Sequence, residues 1–228
     1  MSEPRQSRSA AGDQAGLIWQ AGRGAFVAGP DTGPVPADLP PGTILAAVRF
    51  RPGAGSALGL PLSELLNQRV DVWDLGTSLG RELSERLPGS LRPAVALRRL
   101  LVLAADMLAA APPDPLVSRA ALLLREPAAR TTGIAAELGV SERQLRRRSH
   151  VTAGYGPATL HRVLRFRRFI TRLDAAGNRP DLARIAAESG YADQAHLTRE
   201  CGRLAGLPPA ALARVRALPA APAGRPPR

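Results

Sequence analysis

An internal repeat in the C-terminal part constrains the fold of this chain more than any other feature. The segment IAAELG at 134–139 returns as IAAESG at 185–190, a shift of 51 residues. Farther along, the shift is 52, and the matching positions are Leu145 and Leu197, Arg147 and Arg199, 153–154 and 205–206, 157–158 and 209–210, and Leu160 and Leu212. The register holds across a helix, a turn and a second helix. The sequence therefore predicts two copies of one structural unit, with one residue inserted in the second turn.

Each copy has the pattern of a helix, a short turn and a second helix. Gly139 and Gly190 stand where the chain must turn, because glycine tolerates a left-handed backbone best. In the first copy, Ser141 and Gln144 have the spacing of a capping box that begins the next helix, and Asp193 is the predicted cap in the second copy. This is the pattern of a helix-turn-helix unit, whose second helix enters the major groove of DNA.

The second helix of each copy carries polar side chains that suit DNA. At about 100° per residue, Arg143, Arg146 and Arg147 fall on one solvent-facing stripe while Leu145 faces inward. Arginine can donate two hydrogen bonds to a guanine edge or clamp a phosphate. The second copy places Gln194, His196, Thr198 and Arg199 around an inward Leu197. The alternative interpretation is that these polar side chains form an ordinary solvated helix face without a partner. Their occurrence at equivalent positions in both copies of the repeat argues against this alternative.

A helix between the copies is predicted to begin at Pro157 and to run to about Leu173. Its apolar side chains are Leu160, Leu164 and Phe166, and its basic ones are Arg162, Arg165 and Arg168. Roughly sixteen residues at about 1.5 Å each give a rigid strut of about 24 Å. Such a strut predicts that both recognition helices enter successive major grooves on one face of the duplex.

The positive charge of the chain is concentrated in the same region. The formal net charge is +12, and every basic residue other than histidine is arginine. Residues 1–129 carry 13 Arg against 12 Asp or Glu, whereas residues 130–216 carry 16 against 7. A bias in genome composition would spread the excess evenly. Its concentration in one part of the chain therefore favours an anionic partner.

The N-terminal part reads as short strands followed by helices. Strands are predicted at 17–19, 25–28 and 43–50, and helices at 63–67, 74–87, 91–111 and 116–125. The strands are too few for a closed barrel unless another chain completes it. The predicted fold class is therefore mostly α, with a small N-terminal α+β domain and a C-terminal all-α domain in which a linker helix joins two helix-turn-helix units.

At the repeat, the chain resembles the AraC/XylS family of transcription regulators. Segments that look like the family's two helix-turn-helix units are GVSERQLRRR at 139–148, GYGPATL at 154–160, GYADQAHLTRE at 190–200 and GLPP at 206–209. The resemblance covers about residues 128–215. Less specifically, FVAGPDT at 26–32 and VRFRPG at 48–53 are similar to the sensor-type domain of one AraC-like branch.

The resemblance implies a sequence-specific regulator that binds double-stranded DNA. A sensor or dimerisation domain is expected over 1–127, with 1–15 disordered, then a DNA-binding domain over 128–216 and a disordered tail over 217–228. The expected DNA-binding residues are Arg143, Gln144, Arg146, Arg147, Arg148, Gln194, Ala195, His196, Thr198 and Arg199, of which Ala195 offers only a methyl contact. RNA polymerase and a small-molecule effector are open as further partners, and so is the choice between a monomer and a homodimer.

One departure from the family pattern concerns the core of both units. The family usually has Phe four residues after the inward Leu, and this chain has Ser149 and Cys201 there. Replacing Phe by such small residues costs on the order of 3 kcal/mol per site unless neighbours repack. The alternative function is therefore a non-catalytic interaction protein with a degenerate DNA-binding domain.

Other chemistry finds little support in the sequence. The three histidines, His150, His161 and His196, all lie in the C-terminal part, so a metal-dependent enzyme of the cupin type would lack imidazole ligands in the N-terminal part. The single cysteine, Cys201, excludes an internal disulfide and is expected to be a small buried residue rather than a redox sensor. Residues 1–15 lack the apolar core of a signal peptide, and 100–111 is too short to span a bilayer. We expect a cytoplasmic protein, not an enzyme, without metal or cofactor.

Overall fold

The computed structural model describes residues 7–9, 14–37, 39–177 and 180–217. Short strands and helices form the N-terminal part, and helices alone form the C-terminal part. The predicted fold class, mostly α with a small N-terminal α+β part, is confirmed. Of the stretches expected to be disordered, 1–6, 10–13 and 218–228 lie outside the described residues. The expectation is wrong for 7–9, which form a strand, for Ala15, which is buried, and for Ala217, which ends the last helix.

The N-terminal strands form a four-stranded antiparallel sheet and a separate strand pair. The strands are β1 (Ser7–Ser9), β2 (Gly16–Gln20), β3 (Gly24–Ala28), β4 (Val35–Ala37), β5 (Leu45–Arg49) and β6 (Arg69–Asp71). β1 pairs with β4, and the larger sheet has the order β5-β2-β3-β6. Within the described residues this sheet has two open edges, β5 and β6. It is therefore not a closed barrel.

Three helices complete the N-terminal half: α1 (Ser78–Arg86), α2 (Pro93–Ala110) and α3 (Pro115–Leu123). The stretch predicted as a helix at 63–67 is instead a 3-10 turn at Leu62–Leu65. The helix predicted from 74 begins at Ser78, because Thr77 caps it by accepting a hydrogen bond from the Gly80 backbone N–H. Leu17 and Trp19 of β2 are fully buried in the core that α1 and α2 cover.

Six helices form the C-terminal part as far as the structure describes it. They are α4 (Ile134–Glu137), α5 (Glu142–Ala153), α6 (Pro157–Ala175), α7 (Leu182–Glu188), α8 (Gln194–Ala205) and α9 (Pro209–Ala217). Helix α6 runs through the centre, and its Phe166 and Phe169 are fully buried. Among the described residues, none of the helices combines the length and the apolar character that a bilayer span requires.

Helix α3 packs with the C-terminal core rather than with the sheet. Ala120, Ala121 and Leu124 belong to the same buried cluster as Phe166 and Phe169. The packing of the C-terminal part therefore reaches back to α3, before the domain boundary that the sequence predicts between residues 127 and 128. The boundary itself remains a prediction.

The two parts of the chain meet at the C-terminal end of α5. Gly154 follows this helix with a left-handed backbone, φ +86°. A Cβ at this position would lie 2.4 Å from Cγ of Pro30 and 3.1 Å from the carbonyl oxygen of Leu62. The turn after α5 therefore fits against the N-terminal part only because residue 154 has no side chain.

Candidate nucleic-acid interface

Helix α5 presents an arginine face to solvent, and its sequence explains why it begins where it does. The Ser141 hydroxyl accepts a hydrogen bond from the Gln144 backbone N–H, and the Gln144 side chain accepts one from the Ser141 N–H, which completes the predicted capping box. Leu145 is buried. The side chains of Arg143, Arg146 and Arg147 are exposed on the other side of the helix.

Helix α8 repeats this arrangement with different side chains. Asp193 caps it, as predicted, by accepting a hydrogen bond from the His196 backbone N–H at 2.6 Å. Leu197 is fully buried. The exposed residues of its first turns are Gln194, Ala195, Thr198 and Arg199. The two helices therefore share one design in which an inward leucine is opposed by an exposed polar face.

Some of the side chains predicted to bind DNA already form hydrogen bonds within the protein. The guanidinium of Arg148 donates to both carboxylate oxygens of Asp114, at 2.7 and 2.8 Å, and this carboxylate also caps α3. The Gln144 side chain serves the cap of α5, and the Thr198 hydroxyl donates to the Gln194 carbonyl. These side chains must exchange an internal partner before they can contact a base.

His196 is part of a polar contact between α8 and α6. Arg165 donates a hydrogen bond to Nε2 of His196 at 3.2 Å, and its guanidinium lies over the Tyr191 ring at 4.8 Å from the centroid. Because arginine only donates, Nε2 must accept, which requires the neutral imidazole. Burial lowers the pKa of His196, and the nearby Arg165 charge lowers it further. The ring is therefore neutral at physiological pH.

A buried carboxylate joins the same two helices. Glu200 of α8 has a side chain that is only 5% exposed, and its oxygens lie 3.3 Å from Arg162 and 3.8 Å from Arg165 of α6. Arg203 approaches it at 3.7 Å. A buried carboxylate requires such partners, since an unpaired charge would be strongly destabilising there. Glu200 therefore fixes α8 against the basic side of α6.

The glycine in the turn of the second unit has a similar structural role. Gly190 has φ +87°, and a Cβ at this position would lie 2.6 Å from the carbonyl oxygen of Pro127. Arg168 of α6 donates a hydrogen bond to the Ser189 carbonyl at 2.9 Å, where α7 ends. The turn before α8 is therefore fixed by its close approach to Pro127 and by the hydrogen bond from Arg168.

The exposed face of α5 adjoins the beginning of α6. Arg146 lines a cleft together with His150, the turn at Gly156 and Arg162. Arg162 in turn contacts Glu200, which directly follows the exposed Arg199 of α8. The beginning of α6 therefore lies beside the arginine face of α5, and Arg162 of the same helix contacts α8.

The two core positions that depart from the family pattern are both buried. Ser149 and Cys201 are fully buried, and among the described residues the Ser149 hydroxyl has no hydrogen-bond partner. Burial raises the pKa of the Cys201 thiol to about 12. The thiol therefore stays protonated and unreactive, and the expectation that it is a small buried residue is confirmed.

Two carboxylates that form ion pairs with arginines of the C-terminal part were not predicted from the sequence. Asp114 lies 34 positions before Arg148, and no local pattern connects the two. Glu200 could have been found, because it lies three positions after the inward Leu197 and so falls on the buried side of α8. In the part of the chain that the structure describes, no group of three or more His, Cys, Asp or Glu residues is arranged to hold a metal ion.

Comparisons with known proteins give one match to a family model and two similar solved structures. A family model described as "Helix-turn-helix domain" matches residues 134–214, in agreement with the two helix-turn-helix units predicted for the repeat. A 1.65 Å structure of ToxT from Vibrio cholerae is similar to the chain at 12% identity and a TM-score of 0.49, covering 94% of this chain and 95% of that one. The crystal structure of an apo point variant of ToxT from Vibrio cholerae strain SCE256 has the same identity and TM-score, with coverages of 92% and 93%. No curated protein matches the chain significantly.

Proposed function

We propose that this chain is a DNA-binding transcription regulator of the AraC type, which recognises a specific duplex by placing α5 and α8 in two successive major grooves. The match of residues 134–214 to a helix-turn-helix family model supports this proposal. The observation that carries the proposal is the shared design of the two helices. Each exposes a polar face opposite a leucine buried in the one core that α6 organises. Helix α6 has 19 residues and so a length of about 28 Å, close to the rise of one turn of B-DNA at about 34 Å.

The residue roles follow from the side chains and their partners. Arg143, Arg146 and Arg147 of α5 are exposed and suit guanine edges or phosphates. On α8, Gln194 suits adenine, Arg199 suits guanine, and the Ala195 methyl suits thymine. Thr198 is exposed beside them. We assign Gln144, Arg148 and His196 to positioning the helices, because each is engaged with the protein itself.

A competition binding assay tests sequence recognition. Fluorescence anisotropy with promoter fragments from the neighbourhood of its own gene should show one fragment bound far more tightly than the others at physiological salt. Arg146→Ala should weaken binding to that fragment by roughly 1–3 kcal/mol and relax its base preference. Arg119→Ala, at an exposed arginine of α3, is the matched control and should leave both unchanged. Equal binding of all fragments would contradict the proposal.

The spacing of the two contacted grooves can be tested separately. Footprinting should reveal two protected sub-sites about 10 bp apart, one for each helix. Inserting five base pairs between them turns the second sub-site to the opposite face of the duplex. Because α6 is a rigid connection, this insertion should remove the protection of one sub-site. If both sub-sites stayed fully protected after the insertion, one chain could not be binding the two sub-sites at the same time.

The proposal also covers where the protein acts and which partners it has. We propose that the chain acts in the cytoplasm, where the DNA lies, as a regulator rather than as an enzyme. It would act as a monomer or a homodimer, with RNA polymerase as a further partner. A run-off transcription assay with purified polymerase tests this part, since the regulator should change transcript yield only from a template that carries its site.

A further inference from the structure

A cleft beside the arginine face of α5 is lined by both halves of the chain. Arg146 and His150 of α5 form one side together with the first turn of α6, and Thr32 and Ser63 of the N-terminal half lie on the other side. The volume of the cleft is about 810 Å³. The N-terminal half therefore reaches the helix that is proposed to bind the first sub-site.

Close backbone packing fixes this arrangement. The 3-10 turn at Leu62–Leu65 lies against the end of α5, where a Cβ at Gly154 would be 3.1 Å from the carbonyl oxygen of Leu62. A Cβ at Gly55 would be 2.6 Å from the carbonyl oxygen of Thr152 on α5. Because side chains do not separate the backbones at these two glycines, a molecule that binds along α5 also meets the 3-10 turn.

Basic side chains line the cleft, and none of its described lining residues is Asp or Glu. Arg146 is exposed and lies four positions before His150, so the two share one face of α5. Arg162 of α6 is already paired with Glu200, at 3.3 Å. On the N-terminal side, the exposed Ser63 adds a hydroxyl. Arginine and serine side chains are typical donors to the phosphate oxygens of DNA.

The next step rests on the proposed function. A recognition helix contacts base edges mainly through its N-terminal residues, so the C-terminal end of α5 points towards the sugar–phosphate backbone that borders the groove. We propose that the cleft holds a phosphodiester group of this backbone, so that the N-terminal half is part of the DNA-binding surface. Ser63 donates to the phosphate opposite Arg146 and His150. The Thr32 hydroxyl instead accepts a hydrogen bond from Asn67 at 3.1 Å and shapes the wall.

A negative charge at Ser63 tests this contact in the full-length protein. Ser63→Glu places a carboxylate beside the phosphate and should weaken the binding of every promoter fragment about tenfold, because phosphate contacts carry no base preference. Ser90→Glu is the matched control, since Ser90 is an exposed serine of the same half that does not line the cleft. It changes the net charge equally and should keep the wild-type affinity.

Both serines are exposed, so the melting curves of the two variants should match that of the wild type. Equal affinities of Ser63→Glu and Ser90→Glu for DNA would overturn the proposal. A changed base preference in Ser63→Glu would also overturn it, because the residue would then act on the bases rather than on the backbone.

Directed cleavage of the DNA locates the contact. Ser63→Cys carrying an iron–EDTA chelate should cut the backbone only beside the sub-site whose base preference Arg146→Ala relaxes, and Ser90→Cys with the same chelate should not cut there. Cys201, the cysteine of the natural sequence, stays unlabelled because it is buried and its pKa is raised to about 12. Cleavage beside the other sub-site, or no cleavage from position 63, would overturn the proposal.

The wild-type protein separates this inference from the proposed function. If it prefers one fragment while the two glutamate variants bind that fragment equally, only the contact with the N-terminal half is wrong. If it binds all fragments equally but Ser63→Glu alone is weakened, the backbone contact holds and sequence recognition is wrong. If it binds no duplex, both are wrong.

Discussion

Ser149 is a polar residue in a buried position of α5. Its hydroxyl is fully buried in α5 without a partner among the described residues. Ser149→Ala removes the desolvation cost of that hydroxyl and should raise the free energy of unfolding by about 1 kcal/mol. Urea denaturation followed by circular dichroism measures the change.

Ser141→Ala is the matched control for the same helix. It removes the hydroxyl that caps α5, and it should lower the free energy of unfolding by about 1 kcal/mol. The two serine variants thus have opposite predicted signs. Destabilisation by Ser149→Ala would show that its hydroxyl has a bonding role.

Two histidines give the stability of the C-terminal part a pH dependence. Burial, followed by nearby arginine charges, lowers the pKa of both His161 and His196. The unfolded chain therefore binds more protons than the folded one between the lowered values and the unfolded value of about 6.5. This contribution to stability is complete above that value and is lost as the pH falls from about 6.5 towards the folded pKa.

Thermal melts between pH 7.5 and pH 5 check this sign. The melting temperature should decrease towards pH 5, and the double variant His161→Gln with His196→Gln should show a smaller decrease. Gln at 196 keeps an acceptor for Arg165 at every pH, so it is a conservative replacement. An unchanged slope in the double variant would mean that other groups cause the pH dependence.

At the scale of single helices, the sequence predicts the C-terminal part well. The repeat identifies the helices of both units, and Ser141 and Asp193 are the caps that the structure has. These features are local, because a cap is formed by residues within three positions of one another. Helix α6 begins at Pro157 as predicted and ends at Ala175, two residues after the predicted end.

The predictions fail where long-range contacts decide the structure. β6 (Arg69–Asp71) has three residues with charged ends, and only its pairing with β3 makes it a strand. The packing of α3 against the C-terminal core also depends on contacts far along the chain. The exposed arginine face of α5 was predictable, but the partner of Arg148 was not, because 34 residues separate it from Asp114.

The ion pair between Arg148 and Asp114 is a connection between α5 and α3. Its arginine side chain is 41% exposed, so solvent weakens the pair. Arg148→Ala should therefore destabilise the protein by only about 1 kcal/mol. A double-mutant cycle with Asp114→Asn, measured by urea denaturation, should assign most of this loss to the pair.

DNA-binding measurements can distinguish a structural role of Arg148, in its ion pair with Asp114, from a direct contact with bases. Arg148→Ala should lower the affinity equally for all sequences, whereas Arg147→Ala should change the preferred base at one position. The comparison uses the same set of operator variants for both proteins. Loss of discrimination at a single base pair in Arg148→Ala would instead make Arg148 a base-reading residue.

For the whole molecule, Gly154 marks the place where the two parts fit together. Gly154→Ala should destabilise the protein by about 2–3 kcal/mol, because the new methyl group is strained by the left-handed backbone and also collides with Pro30. Gly139→Ala is the control. It has a similar φ of +68° with nothing within 4 Å, so it should cost only about 1 kcal/mol.

Calorimetric melting of the two variants gives the comparison. Gly154→Ala should also broaden the transition, because the two parts would no longer unfold as one cooperative unit. Gly139→Ala should keep a single sharp transition. Equal destabilisation by the two substitutions would mean that the contact with Pro30 adds nothing to stability.

The unequal side chains of α5 and α8 have a consequence for the layout of a promoter. One chain carries an arginine-rich face on α5 and a face with Gln194, Thr198 and Arg199 on α8, so the two helices present different side chains. In the proposed function, the site bound by one chain is therefore asymmetric and has a direction along the genome. Inverting it in place would leave the affinity unchanged but would turn the N-terminal half from upstream to downstream. Regulation by this protein would depend on which strand carries the site.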